Sequence, residues 1–139
     1  ERAMELAKEA GAKRCLPLPV SGAFHSPLMA PAVEGLAEAM RAETWHTPRV
    51  PVVANVNAAA VQDADTARAL LEQQLTAPVQ WTQVVRTLAE RHPEATFLEI
   101  GTGAVLTGLV RRIAPSVATA NCGTVAEVEK LLTNLASPT

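Results

Sequence analysis

Apolar positions recur every three to four residues in some stretches of this chain and cluster in short blocks in others, and the two patterns alternate from end to end. Residues 1–10 carry Met4, Leu6 and Ala7 among charged neighbours, which predicts an amphipathic helix with Gly11 as its C-terminal stop. Cys15–Val20 reads as a short strand. Pro17 and Pro19 confine it to a sheet edge or a strand end, because proline has no N–H to give a ladder. Met29, Val33, Leu36, Ala37 and Met40 stand at helical spacing and predict one helix from Leu28 to Glu43, with Pro31 tolerable only in its first turn. Val50–Val53, bounded by Pro48 and the Asn55–Asn57 turn region, reads as a buried strand.

The alternation continues. Asp63 or Asp65 caps a helix to about Leu75, and Pro78 opens another through Trp81, Val84, Val85 and Leu88 toward His92. Thr96–Ile100 is a strand, Gly101 and Gly103 make a turn, and Val105–Ile113 is a helix ending in Arg111 and Arg112. A strand near Val117–Ala120 and a helix over Thr124–Leu135 complete the pattern. Strand-then-helix order predicts an α/β fold with a mainly parallel sheet covered by helices. Because residue 1 is Glu and the first residues already read as mid-helix, the chain is expected to be part of a longer protein.

Composition narrows the function classes. With 139 residues, 48% of them hydrophobic, the chain can bury a core of one domain's size. A formal charge of −2 lacks the basic footprint of a nucleic-acid partner. No apolar run approaches the roughly 20 residues of a membrane span, and no signal peptide is read at the N-terminus. Cys15 and Cys122 form no Cys-x-x-Cys pair and are expected to be reduced core residues. His46 and His92 are expected in solvated loops, and with the cysteines they make no zinc-ligand spacing, so no metal site is predicted.

The chemistry concentrates in Val20–Met29, where His25 sits in a Gly-containing loop between an extended run and a helix. Histidine suits proton transfer near neutral pH, although a lone loop histidine, read from composition and spacing alone, is more often structural or incidental than catalytic. Its surroundings, Gly22-Ala23-Phe24-His25-Ser26-Pro27-Leu28-Met29, are followed by Pro51-Val52-Val53-Ala54-Asn55-Val56 with Gln74-Leu75-Thr76-Ala77-Pro78-Val79-Gln80-Trp81, then by Leu98-Glu99-Ile100-Gly101-Thr102-Gly103-Ala104-Val105-Leu106. In order and spacing these blocks resemble the stand-alone malonyl-CoA:acyl carrier protein transacylases. Thr102 departs from the family's Gly-Pro-Gly and is read as a turn substitution.

The resemblance implies an α/β-hydrolase-like core with an inserted ferredoxin-like subdomain, residues 1–20 being the tail of the insert and 21–139 the C-terminal part of the core. It implies that His25 is the catalytic base, that the main-chain carbonyl of Gln74 holds its ring so that side-chain changes at Gln74 are mild, and that Phe24 walls the acyl pocket against an α-methyl group. Implied partners are malonyl-CoA and acyl carrier protein, in the cytoplasm and without a cofactor. Such an enzyme needs a serine on a Gly-x-Ser-x-Gly elbow. Ser21, Ser26, Ser116 and Ser137 are in no such setting, so the nucleophile and the carboxylate-binding arginine are expected outside this chain. Arg111 and Arg112 are assigned to complementing a helix C-terminus.

Two rivals share parts of the pattern. An acyltransferase domain of a polyketide synthase would keep the chemistry. Leu98–Gly103 also resembles the strand and glycine turn of an S-adenosylmethionine-dependent methyltransferase, but Val105 stands where a third glycine is usual and no acidic residue ends the next strand.

Overall fold

The computed structural model describes residues 1–136. Ser137, one of the serines weighed above, lies outside the described residues. Six α-helices and four strands follow in the order α1 (Arg2–Glu9), α2 (Val33–Arg41), β1 (Val52–Val53), β2 (Ala60–Val61), α3 (Ala64–Gln74), α4 (Trp81–Arg91), β3 (Thr96–Ile100), α5 (Val105–Ile113), β4 (Ala118–Cys122) and α6 (Val125–Ala136). The chain is thus α/β.

Local chemistry sets most boundaries. Gly11 takes φ +90°, and the N–H groups of Gly11 and Ala12 donate to Lys8 and Ala7 carbonyls at 2.9 Å each, a glycine-stopped helix end. Asp63, not Asp65, caps α3, its carboxylate accepting from Thr66 N–H at 2.7 Å. The expected helix from Leu28 begins instead as a 3₁₀ segment, Pro27–Ala32, and becomes α-helical only at Val33. Pro31 explains the change, since it offers no N–H for an i to i−4 bond and its ring crowds the preceding turn.

Three other expectations are corrected. Cys15–Val20 joins neither sheet: Pro17 and Pro19 bring no donors, and Val20 N–H turns back to the Leu18 carbonyl at 2.8 Å. The strand at Val50–Val53 shrinks to two residues and is not buried, Val50 being 69% exposed. Pro51 interrupts it. Pro78 does not open α4; the helix starts at Trp81, after Gln80 N–H has donated to the Asn55 carbonyl at 2.7 Å.

The sheet expectation holds for one pair only. β1 and β2 are antiparallel, with Val52 opposite Val61 and Val53 opposite Ala60, as the short connection over 54–59 requires. β3 and β4 are parallel, in register from Thr96–Ala118 to Ile100–Cys122, with α5 as the crossover. Phe97 and Glu99 face the helices, whereas Leu98 and Ile100 face away. Val85, Val110, Ala114 and Val117 form the buried centre, with Trp81, Ala89, Phe97 and Ile113 packed round it. That places the core between the parallel pair and helices α4 and α5.

Candidate active site

His25 is built into a tight turn just before the 3₁₀ segment and adopts φ +59°, a left-handed conformation that residues other than glycine seldom take. Ser26 Oγ donates to the Ala23 carbonyl at 2.7 Å and accepts from Leu28 N–H at 3.3 Å, which ties the turn at both ends. Phe24 is 60% exposed, and its ring lies over Gly22, where an added Cβ would meet it at 3.3 Å.

The imidazole reaches forty-nine residues along the chain. His25 Nδ1 lies 3.0 Å from the carbonyl oxygen of Gln74. A carbonyl only accepts, so Nδ1 carries the proton and Nε2 keeps a free lone pair. Gln74 is the last residue of α3, where carbonyls lack intrahelical partners. The fold therefore fixes the tautomer and the orientation of the ring and leaves Nε2 free.

Gln74's side chain is also engaged. Its Nε2 donates to the Ala77 carbonyl at 2.7 Å, while Oε1 is buried without a partner. The 3.5 Å approach of Nε2 to His25 Nδ1 sets two donors face to face and adds no bond. An open apolar groove of about 260 Å³ between the β1–β2 hairpin and α3, lined by Val52, Val53, Val61, Leu70 and Leu71, reaches Gln74.

Other side chains singled out in the sequence stand apart. His46 and His92 are exposed, the latter at the C-cap of α4. Arg111 and Arg112 fall in the last turn of α5, and Arg111 Nε also donates to Thr119 Oγ1 on β4 at 2.8 Å. Cys122 is buried and Cys15 is half-buried, both as free thiols, so Cys15 is not the core residue expected. It lies on the segment whose prolines kept it out of the sheet. Among the described residues no cluster of three or more His, Cys, Asp or Glu could hold a metal, and no helix is long and apolar enough to cross a membrane.

The glycine turn after β3 bears on the methyltransferase rival. In such enzymes the glycines let the cofactor approach the backbone closely. Here Glu99 accepts from Thr107 N–H and Thr107 Oγ1, both at 2.7 Å, and from Leu106 N–H at 3.1 Å. Glu127 accepts from Gly123 N–H at 2.8 Å, Thr124 N–H at 2.9 Å and Thr124 Oγ1 at 3.0 Å. Both helix starts are occupied by the chain's own carboxylates. A Cβ on Gly123 would collide with the Gly101 carbonyl, so the two turns are in backbone contact. The bonds from Thr107, side chain first, hold Glu99 below the usual carboxylate pKa, and those from Gly123 and Thr124 do the same for Glu127.

No protein-family model matches the chain. The malonyl CoA-acyl carrier protein transacylase of Escherichia coli K12 is 47% identical over 113 residues, which cover 81% of this chain and 36% of that protein. Over that stretch the chain is a homologue of the transacylases. The crystal structure of the Xanthomonas oryzae malonyl-CoA:acyl carrier protein transacylase superposes with TM-score 0.87 at 38% identity, over 96% of this chain and 42% of that one. A structure of a type II PKS acyl-carrier protein in complex with its malonyl-transacylase gives TM-score 0.87 at 41% identity, over 96% and 43%. The chain thus spans about two-fifths of the length of the relatives it matches.

Sequence reasoning passed over Ser26, Glu99 and the Gln74 side chain as parts of this framework. Thr124-x-x-Glu127 was legible as a capping box. Glu99 was not, since its partners lie on the next element.

Proposed function

We propose that this chain is the C-terminal part of a malonyl-CoA:acyl carrier protein transacylase of fatty-acid synthesis, acting in the cytoplasm, with residues 1–20 the tail of a ferredoxin-like subdomain and 21–139 part of an α/β-hydrolase-like core. Homology over 81% of the chain supports the family. The observation that carries the chemistry is the 3.0 Å contact from His25 Nδ1 to the Gln74 carbonyl, which leaves Nε2 free as a base.

In the complete enzyme, His25 Nε2 takes the proton of a serine hydroxyl supplied by the rest of the protein, and that oxygen attacks the thioester carbonyl of malonyl-CoA. Collapse of the tetrahedral intermediate breaks the C–S bond, and the departing thiolate takes the proton back from the imidazolium. The phosphopantetheine thiol of acyl carrier protein then gives its proton to Nε2, attacks the serine ester, and the serine oxygen leaves with that proton. Each half-reaction returns His25 to neutrality. The transfer is redox-neutral and calls on no cofactor. Phe24, beside the base, serves as the wall of the acyl pocket.

The complete protein carrying this segment is expected to move malonyl from malonyl-CoA to acyl carrier protein, and residues 1–139 alone to move none. A malonyl ester on a serine of the isolated chain, shown by mass spectrometry, would contradict the division of labour; absence of transfer in the complete protein would contradict the function.

A further inference from the structure

Nothing in the transfer described above uses Ser26, yet its hydroxyl is the group that closes the turn around His25. Among the described residues, His25 (φ +59°) and Ala58 (φ +55°) are the non-glycine residues with left-handed backbones. A side chain with a Cβ enters that region at a cost and stays there only when its surroundings hold it. At both positions the adjacent polar side chain does the holding. Asn57 Oδ1 accepts from Ala59 N–H at 3.0 Å across Ala58. Ser26 Oγ donates to the Ala23 carbonyl at 2.7 Å across Phe24 and His25, and accepts from Leu28 N–H at 3.3 Å.

Ala58 carries no functional group, so a relaxed turn there costs only stability. His25 differs, because its ring must meet a carbonyl fixed on another element. The hydrogen bond weakens steeply with distance and angle, so a rotation of the His25 backbone toward the ordinary right-handed region would carry Nδ1 off the Gln74 carbonyl. The tautomer would then no longer be fixed, and Nε2 would lose its direction.

We infer that Ser26 is a positioning residue: its hydroxyl locks the left-handed turn at His25, and through it the Nδ1-protonated tautomer and the aim of Nε2. The inference deepens the reading of His25 as the base and rests on it. Its partner is internal, the Ala23 carbonyl, so the role calls for a donor hydroxyl at position 26 and not for serine as such.

The test compares Ser26→Ala, Ser26→Thr and Ser26→Cys in the complete transacylase by kinetics and by nitrogen-15 NMR of the His25 ring. Ser26→Ala should lower kcat by about tenfold to a hundredfold, the scale on which small misplacements of catalytic groups act, with KM for malonyl-CoA nearly unchanged. It should also mix the two neutral tautomers of His25 and move the acidic limb of the kcat/KM pH profile. Thr, which keeps the hydroxyl, should restore all three readouts, and Cys, a weaker donor of similar size, should fall between. An Ala variant with parental rate and tautomer, a Thr variant as impaired as Ala, or a Cys variant equal to Ser would each overturn the inference. The spectra do not depend on turnover: if His25→Ala retained full transfer, the reading of the base would fail on that result, while the tautomer would still decide what Ser26 does.

Discussion

Phe24 and His25 are neighbours with different relations to the fold. His25 is fixed from two sides, by its own turn and by Gln74, whereas Phe24 rests on Gly22 and is otherwise open. A side chain so placed can be shortened at little cost to folding, which makes Phe24→Ser a clean probe of selection. One methyl group in a pocket is worth roughly 1 to 3 kcal/mol, so in the complete enzyme the methylmalonyl to malonyl ratio of kcat/KM is expected to rise about tenfold or more, measured by competition between the two thioesters. An unchanged ratio at unchanged stability would reduce Phe24 to loop packing. At this scale the sequence was legible where a motif named a residue: His25 and Gln74, far apart in sequence, are brought together by the fold. It was not legible where the partner was main chain, as for Ser26 and the Ala23 carbonyl, because nothing in a residue's identity says which carbonyl will face it.

Among the elements, those with periodic apolar faces and a cap or glycine stop were readable: α1, α3, β3 and α5 appear at or near their expected bounds. The misread elements share proline. Pro17, Pro19, Pro31 and Pro51 each remove a donor from a segment whose apolar pattern suggested regular structure. Two polar pins flank the parallel pair: Glu99 of β3, which accepts from the first turn of α5 and which the pattern did not display, and Glu127, the capping-box carboxylate at the start of α6. Their pKa values are lowered in the folded state, so their stabilisation is complete above the ordinary carboxylate pKa and is lost as pH falls through the lowered values. Thermal melts of the complete protein should therefore drop from about pH 5 downward. Glu99→Gln should melt below the parent at pH 7, and the difference should narrow in acid, where Glu99 itself is protonated. Equal melting temperatures at pH 7 would show that the pin adds nothing.

For the whole molecule, the outer face of β3 is the telling surface. Ile100 is 81% exposed, and Leu98 lies on the same face. β3 and β4 form a two-stranded parallel sheet among the described residues, and parallel sheets are ordinarily covered on both faces. Leu16, Leu18 and Val20 are also bare on the segment before His25. With homologues more than twice as long as this chain, residues 1–139 alone are expected to bind a hydrophobic dye and to protect the amides of β3 weakly in hydrogen exchange; a sharp cooperative melt with strong protection there would contradict this. His25 is the group proposed to act as the base of malonyl transfer. Its most direct test is steady-state transfer to acyl carrier protein by the complete enzyme with His25, His46 or His92 changed to Ala in turn. The prediction is a fall in kcat of about a thousandfold or more for His25→Ala, the scale of losing the base of a serine mechanism, with KM little changed and the other two variants near the parent. A His25→Ala enzyme that turns over at the parental rate, or a His46→Ala enzyme as impaired as His25→Ala, would contradict it.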